Sequence, residues 1–215
     1  MASYFQLTLD TLAPVISAFT INDGASVTTS TTVTLKITSD DATSMKIWGI
    51  NGVANEASAT WETFAPTKQV TLTSGDGTKT VYIKVRDSVY NESATSSDTI
   101  TLSTAIPTIT ITGPDVSVIS EQSGKDTASF SFSSSMALKA YTVRLVPSNS
   151  SDHTAGTQIP TTAGSTNMSG TTVAANTSVS CTIKGTDLSN AAGGTDGTYI
   201  IKVFGQASAN DLWSA

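Results

Sequence analysis

Apolar and polar residues alternate along most of this chain, the period of a strand that turns one face to a core. The stretches Lys79-Thr-Val-Tyr-Ile-Lys-Val85 and Thr127-Ala-Ser-Phe-Ser-Phe132 show it plainly. Runs of this kind, bounded by turn residues, predict strands at 16–21, 31–38, 44–50, 60–64, 68–73, 79–86 and 98–102. A second series falls at 108–112, 127–133, 138–146, 178–184 and 198–204. Between them, Asn22-Asp-Gly24, Asn51-Gly52 and Gly75-Asp-Gly77 supply residues that tolerate positive φ. Trp48 falls mid-strand near Met45, Ile47 and Ile50 and is expected in the core. No segment has a helical period, so the chain reads as all-β, with strands spaced as in a β-sandwich.

The pattern repeats. Leu9 matches Leu102 (102 − 9 = 93), and Pro14 with Pro107 and Ile16 with Ile109 keep that offset. Further on, Thr198-Tyr-Ile-Ile-Lys-Val203 is similar to Thr80-Val-Tyr-Ile-Lys-Val85. Setting Ile201 against Ile83 raises the offset to 118, so the second module is longer by 118 − 93 = 25 residues. Much of the excess lies in 147–176 and 186–195, rich in Ser, Thr, Asn and Gly and expected to be loops or short edge strands. The expected division is an N-terminal arm at 1–11, a first sandwich at 12–103 and a second at 104–215. The repeat also predicts a spare strand at the start, equivalent to 99–102, and a second module that lacks its own final strand.

Composition narrows the function. Apolar residues make up 38% of the 215 and charged residues 13%, with a net charge of −6. That excess of acid over base excludes a phosphate-binding surface, so no nucleic-acid partner is expected. Neither a basic leader followed by an apolar run nor a membrane-length apolar segment is present, so no membrane partner is expected either. With Cys181 as the single cysteine, an internal disulfide is ruled out, and alternation with Val179 and Ile183 marks that thiol as core.

Residues Asp76-Gly-Thr-Lys-Thr-Val-Tyr-Ile-Lys-Val-Arg-Asp87, followed by Asn91-Glu-Ser93, resemble the end of a bacterial and bacteriophage Ig-like module. Asp10-Thr-Leu-Ala-Pro-Val-Ile16 with Phe19-Thr-Ile-Asn-Asp-Gly24 resembles its beginning. The resemblance spans about residues 10–103 and is carried into the second module only by Asp196-Gly-Thr198 and Ile201-Lys-Val203. It implies two tandem Ig-like β-sandwich domains behind an N-terminal strand arm. It also implies a non-enzymatic structural protein of a phage virion, on the capsid as decoration or on the tail or baseplate. Its partners would then be copies of itself and other virion proteins. The alternative is a carbohydrate-binding or host-attachment module that takes a host surface glycan.

The arm carries the assembly expectation. Tyr4, Phe5, Leu7 and Leu9 are the contact residues, with Phe5, Leu7 and Leu9 alternating onto one face as Ile100 and Leu102 do. Burying three such side chains is worth roughly 5 kcal/mol before ordering costs. The arm could pair with the edge of its own module, dock on a different protein, or complete a sandwich in another copy. Candidate recognition residues are Trp61, Tyr90, His153 and Trp213. His153, the sole histidine, lies in a polar loop without a nucleophile-elbow motif, so catalysis is not expected. Asp40, Asp41 and Asp87 are weak calcium candidates, since their spacing matches no calcium loop. No cofactor is expected.

Overall fold

The computed structural model describes residues 5–147 and 150–214. The chain divides into two compact units, Met1–Thr104 and Ala105–Ala215.

Unit 1 contains β1 (Ile16–Ile21), β2 (Val27–Thr28), β3 (Thr32–Ser39), β4 (Ser44–Trp48), β5 (Glu62–Thr63), β6 (Thr67–Thr71), β7 (Gly77–Arg86) and β8 (Ser96–Leu102). They form two sheets, β1-β3-β6 and β2-β8-β7-β4-β5. Inward residues of both sheets make one core: Ile21, Leu35 and Val70 from one, Met45, Ile83 and Ile100 from the other. The predicted turns form as expected, with Asp23, Gly24, Gly52, Gly75 and Gly77 all at positive φ. Trp48 is a correction. Alternation puts Met45 and Ile47 in the core, so Lys46 and Trp48 take the opposite face of β4. There Trp48 stacks on Tyr82, centroids 5.6 Å apart, and is buried outside the core cluster.

Unit 2 contains β9 (Ile109–Thr112), β10 (Thr127–Ser134), β11 (Leu138–Val146), β12 (Thr157–Gln158), β13 (Ser169–Val173), β14 (Val179–Lys184), a helix α1 (Gly185–Ala191) and β15 (Ile200–Ala207). One sheet is β14-β10-β9; in the other, β11 pairs with β15 along one edge and with β12 and β13 along the other. Phe132, Leu138, Val143, Met168, Cys181 and Val203 anchor the core between them. The long 147–176 insertion thus contributes β12 and β13, and its residues 148 and 149 lie outside the described residues.

The helix is the second correction. Gly185-Thr-Asp-Leu-Ser-Asn-Ala191 is dominated by turn formers, and only Leu188 and Ala191, three apart, hint at a buried face. What holds it is Asp187, fully buried, whose carboxylate accepts from Ala163 N (2.8 Å), Ser165 N (2.8 Å) and Thr162 Oγ1 (3.1 Å). The helix therefore forms because a distant loop needs an acceptor, a cause no local pattern contains. Burial pushes the Asp187 carboxyl up, but donors from Ser165, Ala163 and Thr162 outweigh it and leave it below the ordinary carboxylate range.

Replacing Asp187 by Ala should destabilise unit 2 by about 2–3 kcal/mol, because it strands buried donors. A carboxyl lowered by folding stabilises fully above its unfolded pKa, near ~4, and the contribution is lost as pH falls through the folded value. Urea unfolding from pH 7 to pH 3 should thus show an acid loss for the native chain that Asp187→Asn blunts. Equal acid slopes would contradict this account.

Candidate functional site

The two units treat equivalent strands differently. In unit 1, β7 is paired on both edges, with β4 through Trp48↔Tyr82 to Ser44↔Arg86 and with β8 through Gly77↔Leu102 to Ile83↔Ser96. The counterpart in unit 2 is β15, which pairs with β11 from Val146↔Ile200 to Leu138↔Ala207. Among the described residues no strand pairs with its other edge.

A shared turn fixes which residues correspond. In unit 1, Ser93 N donates to Val85 O (2.9 Å) and Val85 N donates to Ser93 Oγ (3.1 Å). Unit 2 repeats the exchange between Ser214 and Gly205, at 2.8 and 3.0 Å. The bridges Arg86↔Glu92 and Gln206↔Trp213 match too, as do the left-handed Tyr90 (φ 71°) and Asp211 (φ 64°). Val85 therefore corresponds to Gly205, an offset of 205 − 85 = 120. This corrects the sequence match of Ile201 with Ile83: Val203 stands in that place. A slip of two keeps every side chain on its own face, so alternation alone could not detect it.

The exchange also shows which groups on β15 are left over. Gly205 and Ala207 turn their backbone groups away from β11, toward Ser214 and Leu212. By the alternation of an antiparallel ladder, Ile201 and Val203 turn theirs the same way, where no described residue meets them. At its start, β7 holds strand geometry from Gly77 through pairing with β8 alone, since β4 begins only opposite Tyr82. The equivalent residues 197–199 have no such partner and are not strand.

Beside this edge lies a cavity of about 730 Å³ between the sheets, with apolar walls from Ile111, Phe130, Ile183, Leu188, Tyr199 and Ile201. Val116 and Val118 stand at its mouth, and Val118 is 83% exposed. The matching place in unit 1 is filled by Ile100 and Leu102 of β8, each 1% exposed.

Residues 5–15 form no strand, so the arm does not extend a sheet of its own unit. Tyr4 lies outside the described residues. Phe5, Leu7 and Leu9 are 87, 84 and 85% exposed. From Asp10 onward the chain is tied down: Asn91 Nδ2 donates to Asp10 O (3.4 Å) and Val15 N to Asp40 Oδ1 (2.8 Å).

The other candidates separate into two places. In unit 1 the Arg86 guanidinium lies between Trp61 and Tyr90, 4.3 and 4.6 Å from their centroids, and Lys46 Nζ sits 4.8 Å from Trp61. Lys46 and Lys84 both reach Glu56, at 2.7 and 2.8 Å. Trp61 is therefore engaged by cations, whereas Tyr90 stays 68% exposed. In unit 2, His153 stacks on Trp213 at 4.3 Å and 6°, a contact the sequence did not foretell.

The carboxylates of Asp10, Asp41 and Asp87 approach within 4.8 Å of one another, while Asp40 points instead to Val15. Burial pushes Asp87 up, but Asn91, Val89 and Tyr90 donate to it and hold it below the usual carboxylate range. Its oxygens thus build the β7–β8 turn. A carboxylate lends calcium one or two oxygens, but exposed acidic groups cluster without an ion as well, and this cluster carries no metal assignment.

No family model matches the chain, and no curated protein matches it. Solved structures do align. Fibronectin(III)-like modules of Clostridium thermocellum CbhA are 12% identical over 92% of this chain and 90% of theirs, TM-score 0.41. Carbohydrate-binding modules from the β-sandwich superfamily are 14% identical over 95% of both chains, TM-score 0.34. Chitinase ChiA74 from Bacillus thuringiensis is 13% identical, TM-score 0.34, over 91% of this chain but only 30% of the chitinase. The fold itself, a pair of β-sandwiches, stands on the pairing and cores described above.

Cys181 is 1% exposed and burial raises its thiol to about 11. A thiol reagent at pH 8 should leave it unmodified in the native chain and label it fully in denaturant. Rapid native labelling would show that unit 2 opens beyond what its core implies.

Proposed function

We propose that this chain is a non-catalytic structural protein that assembles by β-strand addition at the free edge of β15. The observation that carries the reading is the contrast between β7, paired on both edges, and β15, paired on one beside an apolar cavity. Backbone donors and acceptors at a sheet edge recruit a strand when nothing blunts them. Along 200–204 the strand has no proline, and its one charge, Lys202, lies over Phe204 with Nζ 5.7 Å from the ring centroid. An added strand supplies main-chain hydrogen bonds, and pockets for alternate side chains supply selectivity.

The resemblance of residues 10–103 to phage Ig-like modules supports a virion as the setting, with the chain decorating the capsid or belonging to the tail or baseplate. Immunogold labelling of purified particles tests that setting. Label on capsid or tail supports it, and label confined to the cell fraction removes it.

Hydrogen exchange tests the mechanism. On assembly, the amides of Ile201 and Val203 should slow by at least tenfold while those of Val81 and Ile83 stay as they were. Assembly that leaves 201 and 203 unchanged would overturn strand addition at this edge.

A second reading, glycan recognition, is favoured by Tyr90, exposed at left-handed φ with Arg86 on its ring. A glycan array decides it: binding lost in Tyr90→Ala supports this role, and no binding by the native chain ends it.

A further inference from the structure

We propose that the occupant of the β15 edge is the N-terminal segment of a second copy, with Leu9 opposite Gly197, Leu7 opposite Tyr199 and Phe5 opposite Ile201. This inference rests on the strand-addition reading above and names the partner and its register. Two independent correspondences give that register. The start of unit 1 and the start of unit 2 share an offset of 93, since β1 opens at Ile16 and β9 at Ile109. Leu7 and Leu9 thus correspond to Ile100 and Leu102 of β8 (7 + 93 and 9 + 93). The shared serine turn sets β7 against β15 at an offset of 120. In unit 1, Leu102 faces Gly77, Ile100 faces Lys79 and Asp98 faces Val81, all antiparallel. Carried across by the two offsets, these become the three pairs proposed.

The cavity lies where that register needs it. Its walls include every residue from Thr195 to Tyr199 and then Ile201, the stretch the arm would cover. Leu7 and Leu9 take the places of two side chains that are 1% exposed in unit 1, yet they are themselves 84 and 85% exposed. One chain therefore carries both an unfilled pocket and an unburied copy of what fills the equivalent pocket elsewhere. Pairing also extends β15 back to residue 197, as β8 extends β7 to Gly77.

A second copy is the donor because, within one chain, Phe5, Leu7 and Leu9 are exposed while, among the described residues, β15 pairs with no strand but β11. Donation from copy to copy is head-to-tail, so it yields chains or closed rings.

The test uses the full chain. Leu7→Asp changes an exposed residue and disables the donor, while Ile111→Asp with Val118→Asp, both at exposed wall positions, disables the acceptor. By native mass spectrometry the unaltered chain should form oligomers. Each variant alone should stay monomeric at concentrations at least about tenfold higher, and an equimolar mixture should stop at the mixed dimer. A cysteine pair reads the register: Gln6→Cys should cross-link between copies to Ile200→Cys, the directly opposed non-hydrogen-bonded position, and not to Lys202→Cys.

If Leu7→Asp assembles as the unaltered chain does while Ile201 and Val203 amides stay protected, the arm is not the occupant and strand addition survives. Unprotected amides in the assembly sink both. A monomer whose β15 edge is protected only when Leu7 is present means the arm serves its own chain, which overturns the second copy. Equal cross-linking at 200 and 202 overturns the register.

Discussion

A strand edge that borders an apolar interior rather than water needs a hydrogen-bonding partner, or its peptide groups face that interior unpaired. That requirement bears on β7 and on β15. β7 meets it with β4 and β8, and Ile100 and Leu102 close the core of unit 1 as a consequence. β15 meets it with β11 on one side and, on the other, only where Leu212 and Ser214 fold back onto Ala207 and Gly205. The unmet half lies beside the cavity, so a single missing partner accounts for an open edge, an unfilled interior and a shortened strand start.

The rest of unit 2 keeps that opening in shape. Asp187 gathers the 162–165 loop and fixes α1, whose Leu188 forms part of the cavity wall. Gly185 lets this happen: a Cβ there would lie 2.0 Å from Ser120 O, so only glycine lets the 120 loop close on the helix start. The serine turn clamps β15 at its far end, leaving residues 200–204 as a defined edge. Unit 1 puts its polar complexity elsewhere, in the Lys46, Lys84 and Glu56 pairs on the outer face of its larger sheet.

How much of this the sequence shows depends on whether the cause is local. β1 and β11 match their predicted limits because period-2 runs end at turn residues on both sides. Trp48 is buried, as its size suggests, but alternation with Met45 and Ile47 turns it to the outer face of β4, so burial and membership of the core cluster part company there. The helix was illegible, since its acceptor Asp187 serves a loop more than twenty residues away. The internal repeat leads to the expectation of an open edge but cannot supply a register, because a two-residue slip leaves the hydrophobic pattern intact. Only the serine turn resolves it. Nor could any sequence pattern show that Trp213 stacks on His153, a pairing across 60 positions.

The most direct measurement is an isotope-filtered NOE spectrum of the full chain, assembled from equal parts carbon-13-labelled and unlabelled copies. The account predicts intermolecular contacts from the Leu7 and Leu9 methyls to the Tyr199 ring and the Leu188 methyls. It also predicts backbone contacts between Phe5 and Ile201. Assembled chains that show no contact between any arm residue and the β15 edge would contradict it.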